Sequence, residues 1–397
     1  MPLTGNWTLA ILSALALLAA VTAVLFWDRI RSWPRWPARL AMIVTCQLTA
    51  CLVVAALVND MGQFYTSWSE LGGSGSGVTI SHLRAGAEDR KLTELLRRQG
   101  RLGKSLVVPV YVPEAGAAKA DDALVYLPAA YFNPSYADTT FPVIELLGGF
   151  PSSPRSWIDS LRLQQIADRE IGSRRSVPFV AVIPVQNYLP RLHDGECINA
   201  VGGPQVETTL TVNVRRVIEH DFRVDRGRAG WSVMGYSTGG FCALNIAMRH
   251  PSWYGSAVSL SGYDQPYIDR TTGALFGTSS SAEHLNDPLW RARHLRAPSI
   301  SILLTASRPD VRTWRDAYQL AAAARAPTRA FLLMLPRGGH NFATIRDVVP
   351  AAIDWLGQLL SLPLAPPARA GGLAPEPYHR TPAKHERRKF VQAAPHR

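Results

Sequence analysis

Residues 229–250 read AGWSVMGYSTGGFCALNIAMRH, and this segment gives the strongest indication of the fold class. An apolar run leads into the motif GYSTG at 235–239, and the residues after it have the apolar spacing of a helix. A serine on a sharp strand-to-helix turn has a strained backbone, so the residues two positions before and after it need to be glycine. The pattern predicts a nucleophile at Ser237. A glycine-rich turn in which the serine only caps a helix is the alternative.

Short aliphatic or β-branched runs alternate with helical stretches on both sides of this motif. The strand candidates are Leu106–Val112, Leu124–Leu127, Val143–Leu147, Phe179–Ile183, Ala229–Met234, Ala257–Leu260, Ile300–Leu304 and Phe331–Leu335. Helices are predicted at Gln205–Phe222, Gly239–His250, Val311–Ala326 and Val348–Leu360. This alternation, with nearly unbroken apolar strands, predicts the α/β class: a mostly parallel sheet covered by helices on both faces. We expect the first two strands to be antiparallel and to lie at an edge.

A serine hydroxyl is a poor nucleophile without a base. His340 lies in the segment GGHNF, which follows the apolar run AFLLMLP and precedes a predicted helix. The carboxyl end of a strand is a place from which an imidazole on a loop can reach the serine. His250 ends a predicted helix, and three more histidines lie beyond residue 363. His340 is therefore favoured as the base, with an ordinary polar loop histidine as the alternative.

The base needs an acid that orients it. Asp310 comes shortly after the run SILL, in the segment TASRPD, and so lies near the end of a predicted strand. Asp316 is six residues further and is predicted to lie within the following helix, where it is aimed less well. Asp310 is favoured over Asp316, although an aspartate before VRTW would also suit a helix cap.

The oxyanion that develops during acyl transfer needs two backbone N–H donors. One is expected from Thr238, the residue after the nucleophile. The other is expected from the loop GGFP at 148–151, which follows the strand candidate Val143–Leu147. Phe150 is the first candidate there and Gly149 the second, since proline has no N–H to donate.

Three separated motifs resemble one known family. They are PVIELLGGFPSSPRSW at 142–157, the GYSTGG turn at 235–240 and GGHNFATIRDVVPAAIDWL at 338–356. Together they are similar to the putative esterase family of α/β-hydrolases, which includes esterase D, enterochelin esterases and the secreted mycolyltransferases. The resemblance extends over roughly 107–360. It implies an α/β-hydrolase fold and ester chemistry through an acyl-enzyme.

The resemblance also implies roles for individual positions: a triad of Ser237, Asp310 and His340, with Phe150 and Thr238 at the oxyanion positions. Two features differ from the mycolyltransferases, which are secreted without a two-helix anchor and use a glutamate as the acid. The segment at 194–211, DGECINAVGGPQVETTLT, resembles part of anchored members and is expected to line the site.

Two long apolar runs precede the α/β pattern. Thr8–Trp27 and Leu40–Val58 contain no Asp, Glu, Lys or Arg. At a rise of about 1.5 Å per residue, each is long enough to cross a hydrocarbon core of about 30 Å. A cleaved signal peptide is the alternative for the first run. It is disfavoured because residues 1–7 contain no Lys or Arg and no clean small-residue cleavage site follows.

The charges around these runs predict an orientation. The segment between them contains four arginines, at positions 29, 31, 35 and 39, whereas residues 59–82 contain no Lys or Arg. Positive residues remain on the cytoplasmic side, so the connecting loop is expected inside and both chain ends outside. The catalytic part is therefore predicted to be extracytoplasmic.

The net charge of +12 is concentrated in residues 363–397 and 28–39. Since the predicted folded region lacks a basic stripe interleaved with aromatic residues, we expect no nucleic-acid partner. The four cysteines lack a CxxC spacing, and neither a metal nor a cofactor is predicted. Cys197 and Cys242 could form a disulfide in an oxidising compartment, which the sequence alone does not decide.

The predicted organisation has four parts: two transmembrane helices within 1–60, a linker at 61–103, an α/β-hydrolase domain at 104–362, and a disordered basic tail at 363–397. The leading hypothesis is a membrane-anchored extracytoplasmic serine esterase or acyltransferase that acts on an acyl-ester or lipid-like small molecule. One alternative is mycolyltransferase-like transfer to an envelope sugar or lipid. The other is a non-catalytic envelope protein on a hydrolase scaffold. The sequence indicates no oligomeric state.

Overall fold

A computed structural model of the protein describes residues 6–29, 35–62, 103–113, 122–187, 193–360 and 391–392. The chain divides into a helical N-terminal unit and a larger α/β unit. The predicted linker at 61–103 lies outside the described residues, except for 61–62 and 103. The predicted tail at 363–397 also lies outside them, except for 391–392.

The N-terminal unit consists of two long helices, α1 (Asn6–Phe26) and α2 (Arg35–Gly62). Their apolar side chains are largely exposed, and both helices are long and apolar enough to cross a membrane. At the α1 end, the Arg39 guanidinium donates a hydrogen bond of 3.1 Å to the Trp27 carbonyl and lies 4.9 Å from the centre of its ring. Both helices are therefore candidate membrane spans, and the first also fits a signal sequence.

The α/β unit is built on one sheet. Its strands are β1 (Leu106–Tyr111), β2 (Asp122–Leu127), β3 (Val143–Leu147), β4 (Val180–Ile183), β5 (Trp231–Tyr236), β6 (Ser256–Leu260), β7 (Ser301–Ser307), β8 (Arg329–Leu335) and β9 (Val391–Gln392). Their order across the sheet is β1-β2-β4-β3-β5-β6-β7-β8-β9. Strands β3 to β8 are parallel, whereas β1 and β2 form an antiparallel edge. The predicted mostly parallel α/β sheet with an antiparallel edge is confirmed.

The helices of this unit are α3 (Arg155–Asp159), α4 (Leu163–Gly172), α5 (Val206–Thr208), α6 (Val214–Asp221), α7 (Thr238–Arg249), α8 (Ser280–Leu285), α9 (Pro288–His294), α10 (Val311–Ala323) and α11 (Phe342–Leu359). Every residue of β3, β5 and β7 is buried. Since successive strand residues point to opposite faces, both faces of the sheet must be covered. The α/β-hydrolase architecture expected from the sequence is therefore present.

The predicted strands agree with the structure to within three residues at each end, and three larger differences from the prediction occur. The helix predicted at Gln205–Phe222 is interrupted by a π-helical turn at Thr209–Asn213, where the Thr211 hydroxyl donates to the Glu207 carbonyl. The last helix begins six residues earlier than predicted, because Pro350 lies inside it rather than near its start. Within the segment predicted to be disordered, β9 pairs with β8 in an antiparallel manner.

The centre of the sheet contains a buried acid, Glu145 on β3. Its side chain is fully buried, and its Oε2 accepts a hydrogen bond of 2.7 Å from the Tyr254 hydroxyl. Burial raises the pKa of Glu145 to about 8, although the Tyr254 hydrogen bond and the charge of Arg215 act in the opposite direction. Glu145 is therefore protonated in the folded protein at neutral pH and ionised in the unfolded chain.

This difference predicts a pH-dependent stability. The folded pKa lies above the unfolded value, so the contribution of Glu145 is fully present below about pH 4.5 and is lost as the pH rises towards 8. Glu145→Gln keeps the shape and cannot ionise. We expect the thermal midpoint of the variant, measured relative to that of the wild type, to rise by several degrees between pH 5 and pH 9. This corresponds to a change of about 2–4 kcal/mol in the difference between their free energies of unfolding. Thermal melts of both full-length proteins in detergent test this. A difference in midpoint that does not change with pH would contradict it.

Candidate active site

Ser237 lies on the turn between β5 and α7 and has a backbone φ of 55°. This is the left-handed region, which L-residues rarely occupy and which costs about 1–3 kcal/mol. The two flanking glycines are needed because the turn is so tight: a Cβ on Gly235 would lie 2.0 Å from the Gly239 carbonyl oxygen, and one on Gly239 would lie 2.3 Å from the Leu147 oxygen. The strand–turn–helix geometry therefore presents the Ser237 hydroxyl at the carboxyl edge of the sheet.

Two hydrogen bonds connect this hydroxyl to a histidine and an aspartate. The Nε2 atom of His340 lies 2.8 Å from Ser237 Oγ, and its Nδ1 lies 2.7 Å from Asp310 Oδ2. Ser237 follows β5, Asp310 follows β7 and His340 follows β8, and the carboxyl ends of these parallel strands lie at the same edge of the sheet. The arrangement allows the imidazole to take the serine proton while the carboxylate fixes its orientation.

Asp310 is held as an ionised acid. Its Oδ2 also accepts a hydrogen bond of 2.5 Å from the Thr313 hydroxyl, one turn into α10. Burial alone would raise the pKa of Asp310, but the hydrogen bonds from His340 and Thr313 outweigh burial and hold the pKa below its ordinary value. A carboxylate that is ionised at neutral pH can stabilise the imidazolium that forms when His340 accepts a proton.

Asp316, the alternative acid, has different partners. It is buried inside α10, and its carboxylate forms ion pairs with Arg315 at 3.1 Å and Arg312 at 3.8 Å. Asp310 instead occupies the N-cap position of α10, and its carboxylate contacts His340. The position at the start of the helix and the contact with the imidazole are therefore compatible. The geometry favours Asp310 as the partner of His340.

Both predicted oxyanion segments lie beside the nucleophile. Thr238 is the first residue of α7, and Gly149 is so close that a Cβ on it would lie 3.0 Å from Ser237 Cβ. The Tyr236 ring packs against this loop, since a Cβ on Gly149 would lie 2.9 Å from its Cε2 atom. Burial raises the pKa of Tyr236. Phe150 remains the first candidate for the donor in this loop, and Gly149 remains the second.

The segment at 194–211 reaches the nucleophile turn. Asp194 Oδ2 accepts a hydrogen bond of 3.2 Å from the Thr238 hydroxyl, and Glu196 Oε1 accepts one of 2.7 Å from the Tyr263 hydroxyl. Burial raises the pKa of Asp194, and burial together with the charge of Asp194 raises the pKa of Glu196 well above its ordinary value. The two hydrogen bonds attach this segment to the first residue of α7 and to Tyr263.

A disulfide joins Cys197, next to Glu196, to Cys242 on α7, with their Cα atoms 5.6 Å apart. It ties the Asp194 loop to the helix that begins after Ser237. Two residues that hold the site had no signal of their own in the sequence. Thr313 supports Asp310, and the Thr344 hydroxyl accepts a hydrogen bond of 3.0 Å from the Gly339 N–H in the His340 loop. Only their positions, shortly after Asp310 and His340, could have suggested them.

The sheet order, the strained serine turn and the Ser–His–Asp geometry define an α/β-hydrolase. Residues 120–347, more than half of the chain, match the family described as "Putative esterase". The chain belongs to this family and is a serine hydrolase of the esterase type.

Individual proteins show the same relationship. An uncharacterized protein of Corynebacterium glutamicum is 25% identical over 375 residues, which cover 90% of this chain and 83% of that protein. A ferulic acid esterase structure is similar with a TM-score of 0.56 and 17% identity, covering 65% of this chain and 99% of that one. An S-formylglutathione hydrolase from Agrobacterium tumefaciens has a TM-score of 0.53 and 18% identity, covering 66% of this chain and 97% of its own. At these identities the two structures support the fold.

Proposed function

We propose that the protein is a membrane-anchored, extracytoplasmic serine esterase or acyltransferase with a triad of Ser237, His340 and Asp310. The hydrogen-bond chain from the Ser237 hydroxyl through both nitrogens of His340 to Asp310 carries this proposal. The substrate class is a small acyl ester, in agreement with the family.

In the first half-reaction, Ser237 Oγ attacks the acyl carbonyl carbon while His340 Nε2 takes the hydroxyl proton. The tetrahedral oxyanion accepts hydrogen bonds from the N–H groups of Thr238 and Phe150. When the intermediate collapses, His340 returns the proton to the departing alcohol, and the acyl group remains as an ester on Ser237. Asp310 stays ionised throughout and stabilises the imidazolium.

In the second half-reaction, His340 takes a proton from the acceptor, and the acceptor oxygen attacks the carbonyl carbon of the acyl-enzyme. The bond between that carbon and Ser237 Oγ then breaks, and His340 returns the proton to Oγ. Water gives a free acid, and an alcohol gives a new ester, so hydrolysis and transfer differ only in the acceptor. Transfer to an envelope sugar or lipid, as in the mycolyltransferases, uses the same steps. A non-catalytic envelope protein on this scaffold is the alternative from another class.

The proposed location rests on the N-terminal unit. In this proposal helices α1 and α2 serve as spans, and the arginines between them support a cytoplasmic location for the connecting loop. The disulfide between Cys197 and Cys242 supports an oxidising compartment for the catalytic part. The proposed organisation is an anchor at 1–60, a linker at 61–103, a catalytic domain at 104–362 and a tail at 363–397.

A fluorophosphonate with a charged tag that cannot cross membranes tests the nucleophile and the location together. In intact cells that express the full-length chain, we expect the probe to label the wild type as strongly as it does after lysis, and to leave Ser237→Ala unlabelled. Labelling only after lysis would place the domain in the cytoplasm. Equal labelling of the wild type and Ser237→Ala would refute the nucleophile, and no labelling of either would favour the non-catalytic alternative.

A further inference from the structure

The carboxamide of Gln186 binds both backbone groups of one residue in the predicted oxyanion loop. Gln186 lies three residues beyond the end of β4, and its side chain is buried. Its Oε1 accepts a hydrogen bond of 3.0 Å from the Gly148 N–H, and its Nε2 donates to the Gly148 carbonyl. Every strong hydrogen-bonding atom of the Gly148 backbone is therefore paired with one side chain.

This contact continues the sheet beyond the point where its strands separate. The parallel pairing of β3 with β4 ends at Glu145 and Val182, and Gly148 is three residues further along the chain. A carboxamide has the same donor and acceptor as a peptide group. The side chain of Gln186 thus takes the place that a neighbouring strand would have, and it holds the chain extended towards the nucleophile.

The orientation of the next N–H groups follows from the planarity of the peptide bond. In a trans peptide the C=O and the following N–H point in opposite directions. Since Gln186 holds the Gly148 carbonyl on one side, the Gly149 N–H is directed to the other. The Gly149 carbonyl in turn accepts a hydrogen bond from the Ser152 hydroxyl, which fixes the direction of the Phe150 N–H. A rotation of the first peptide would misdirect both donors.

We propose that Gln186 is a positioning residue that fixes the oxyanion loop, so that the Phe150 N–H is preorganised for the transition state. This inference rests on the proposed function and adds a residue to it. Preorganised donors act on the charge that develops during reaction, so their loss lowers kcat while KM changes little.

The test uses a substitution whose hydrogen-bonding capacity depends on pH. In Gln186→Glu, the protonated acid accepts from the Gly148 N–H and donates its O–H to the Gly148 carbonyl, which replaces both bonds. The ionised acid has no proton to donate and repels that carbonyl. Burial raises the pKa of such a carboxyl from its ordinary value of about 4.3 into the measurable range. The ratio of kcat/KM for the variant to that for the wild type should therefore be near one at low pH and fall about 10- to 100-fold by pH 9.

Gln186→Met is the companion variant, since it keeps the volume and removes both hydrogen bonds. With p-nitrophenyl acetate and the full-length protein in detergent, we expect its kcat to be at least about 10-fold lower at every pH, with KM within about threefold. Gln164→Glu is the matched control. The Gln164 amide donates hydrogen bonds to Ser105, which precedes the edge strand β1. The pH profile of Gln164→Glu should therefore follow that of the wild type. Thermal melts at each pH define the range in which all proteins are folded.

The outcomes are distinct. Folded Gln186→Met with a kcat within about threefold of the wild type would overturn the proposal, because Gln186 would then be a packing residue. Gln186→Glu as slow as Gln186→Met at every pH would also overturn it. Recovery of the kcat/KM of Gln186→Glu at low pH supports the proposal. Full activity of Gln186→Glu over the whole pH range also supports it, provided that Gln186→Met is slow. Ser237→Ala in the same assay distinguishes failure of the proposed triad from failure of the proposed role of Gln186. If Ser237→Ala remains active, the triad is refuted, independently of the results for the Gln186 variants.

Discussion

Replacing Ser237 with alanine is expected to lower kcat for acyl-ester hydrolysis by about 10⁵-fold, to the level left by binding and the oxyanion donors alone. The physical reason is that the Ser237 hydroxyl lies 2.8 Å from His340 Nε2, and among the described residues no other hydroxyl is hydrogen-bonded to this nitrogen. Steady-state kinetics with p-nitrophenyl esters would measure the loss. Because Ser237 has a positive φ, the fold of the variant should be verified by circular dichroism.

Ser232→Ala is the matched control for this change. Ser232 lies on the same strand, β5, and its buried hydroxyl is 2.7 Å from that of Ser256 rather than near the imidazole. We expect its kcat to remain within about threefold of the wild type, since only a structural hydrogen bond worth about 1 kcal/mol is lost. A Ser237→Ala variant with more than about one tenth of wild-type activity would exclude Ser237 as the nucleophile.

Asp310→Asn is expected to lower kcat by about 10³- to 10⁴-fold while the fold is preserved. An asparagine is neutral, so it cannot stabilise the imidazolium, and its NH₂ group can pair with Nδ1 and select the wrong histidine tautomer. The loss should appear in kcat more than in KM, because it concerns the charge formed during reaction. Steady-state kinetics of both proteins with p-nitrophenyl esters at the same pH would measure it.

Asp316→Asn serves as the control, because it makes the same chemical change on the same helix. Asp316 pairs with Arg315 and Arg312, so we expect a lower thermal midpoint but a kcat per folded molecule within about threefold of the wild type. If instead Asp316→Asn were the slow variant and Asp310→Asn retained its rate, the acid would have to be reassigned to Asp316.

The sequence could predict the triad candidates because each carries a local signal. Ser237 has flanking glycines in a strand-to-helix context, and His340 follows an apolar strand. The choice between Asp310 and Asp316 depended on where α10 begins, and a helix that starts at Val311 leaves Asp310 just outside it. Parallel strands then bring their carboxyl ends together, which the α/β alternation implies.

Contacts between distant segments could not be predicted in this way. Gln186 and Gly148 are 38 positions apart, and nothing in the letters PVQ indicates that this amide pairs with a glycine backbone. The hydrogen bond from the Thr238 hydroxyl to Asp194 also joins residues that are far apart in the sequence, 44 positions, and could not be predicted for the same reason. The start of α11 was missed for a local reason, because a proline in a helix usually marks the first turn, whereas Pro350 lies in its middle.

The bond between Cys197 and Cys242 has a consequence for how the enzyme matures. It closes a loop of 45 positions and links the Asp194 segment covalently to the helix behind the nucleophile. Disulfides form in oxidising compartments and are reduced in most cytosols. Under the proposed topology, the disulfide would not form in a newly made chain until the domain has been exported, so the Asp194 segment would not yet be linked to the helix. Export and oxidation, rather than synthesis, would then mark the moment at which the active site acquires its final rigidity.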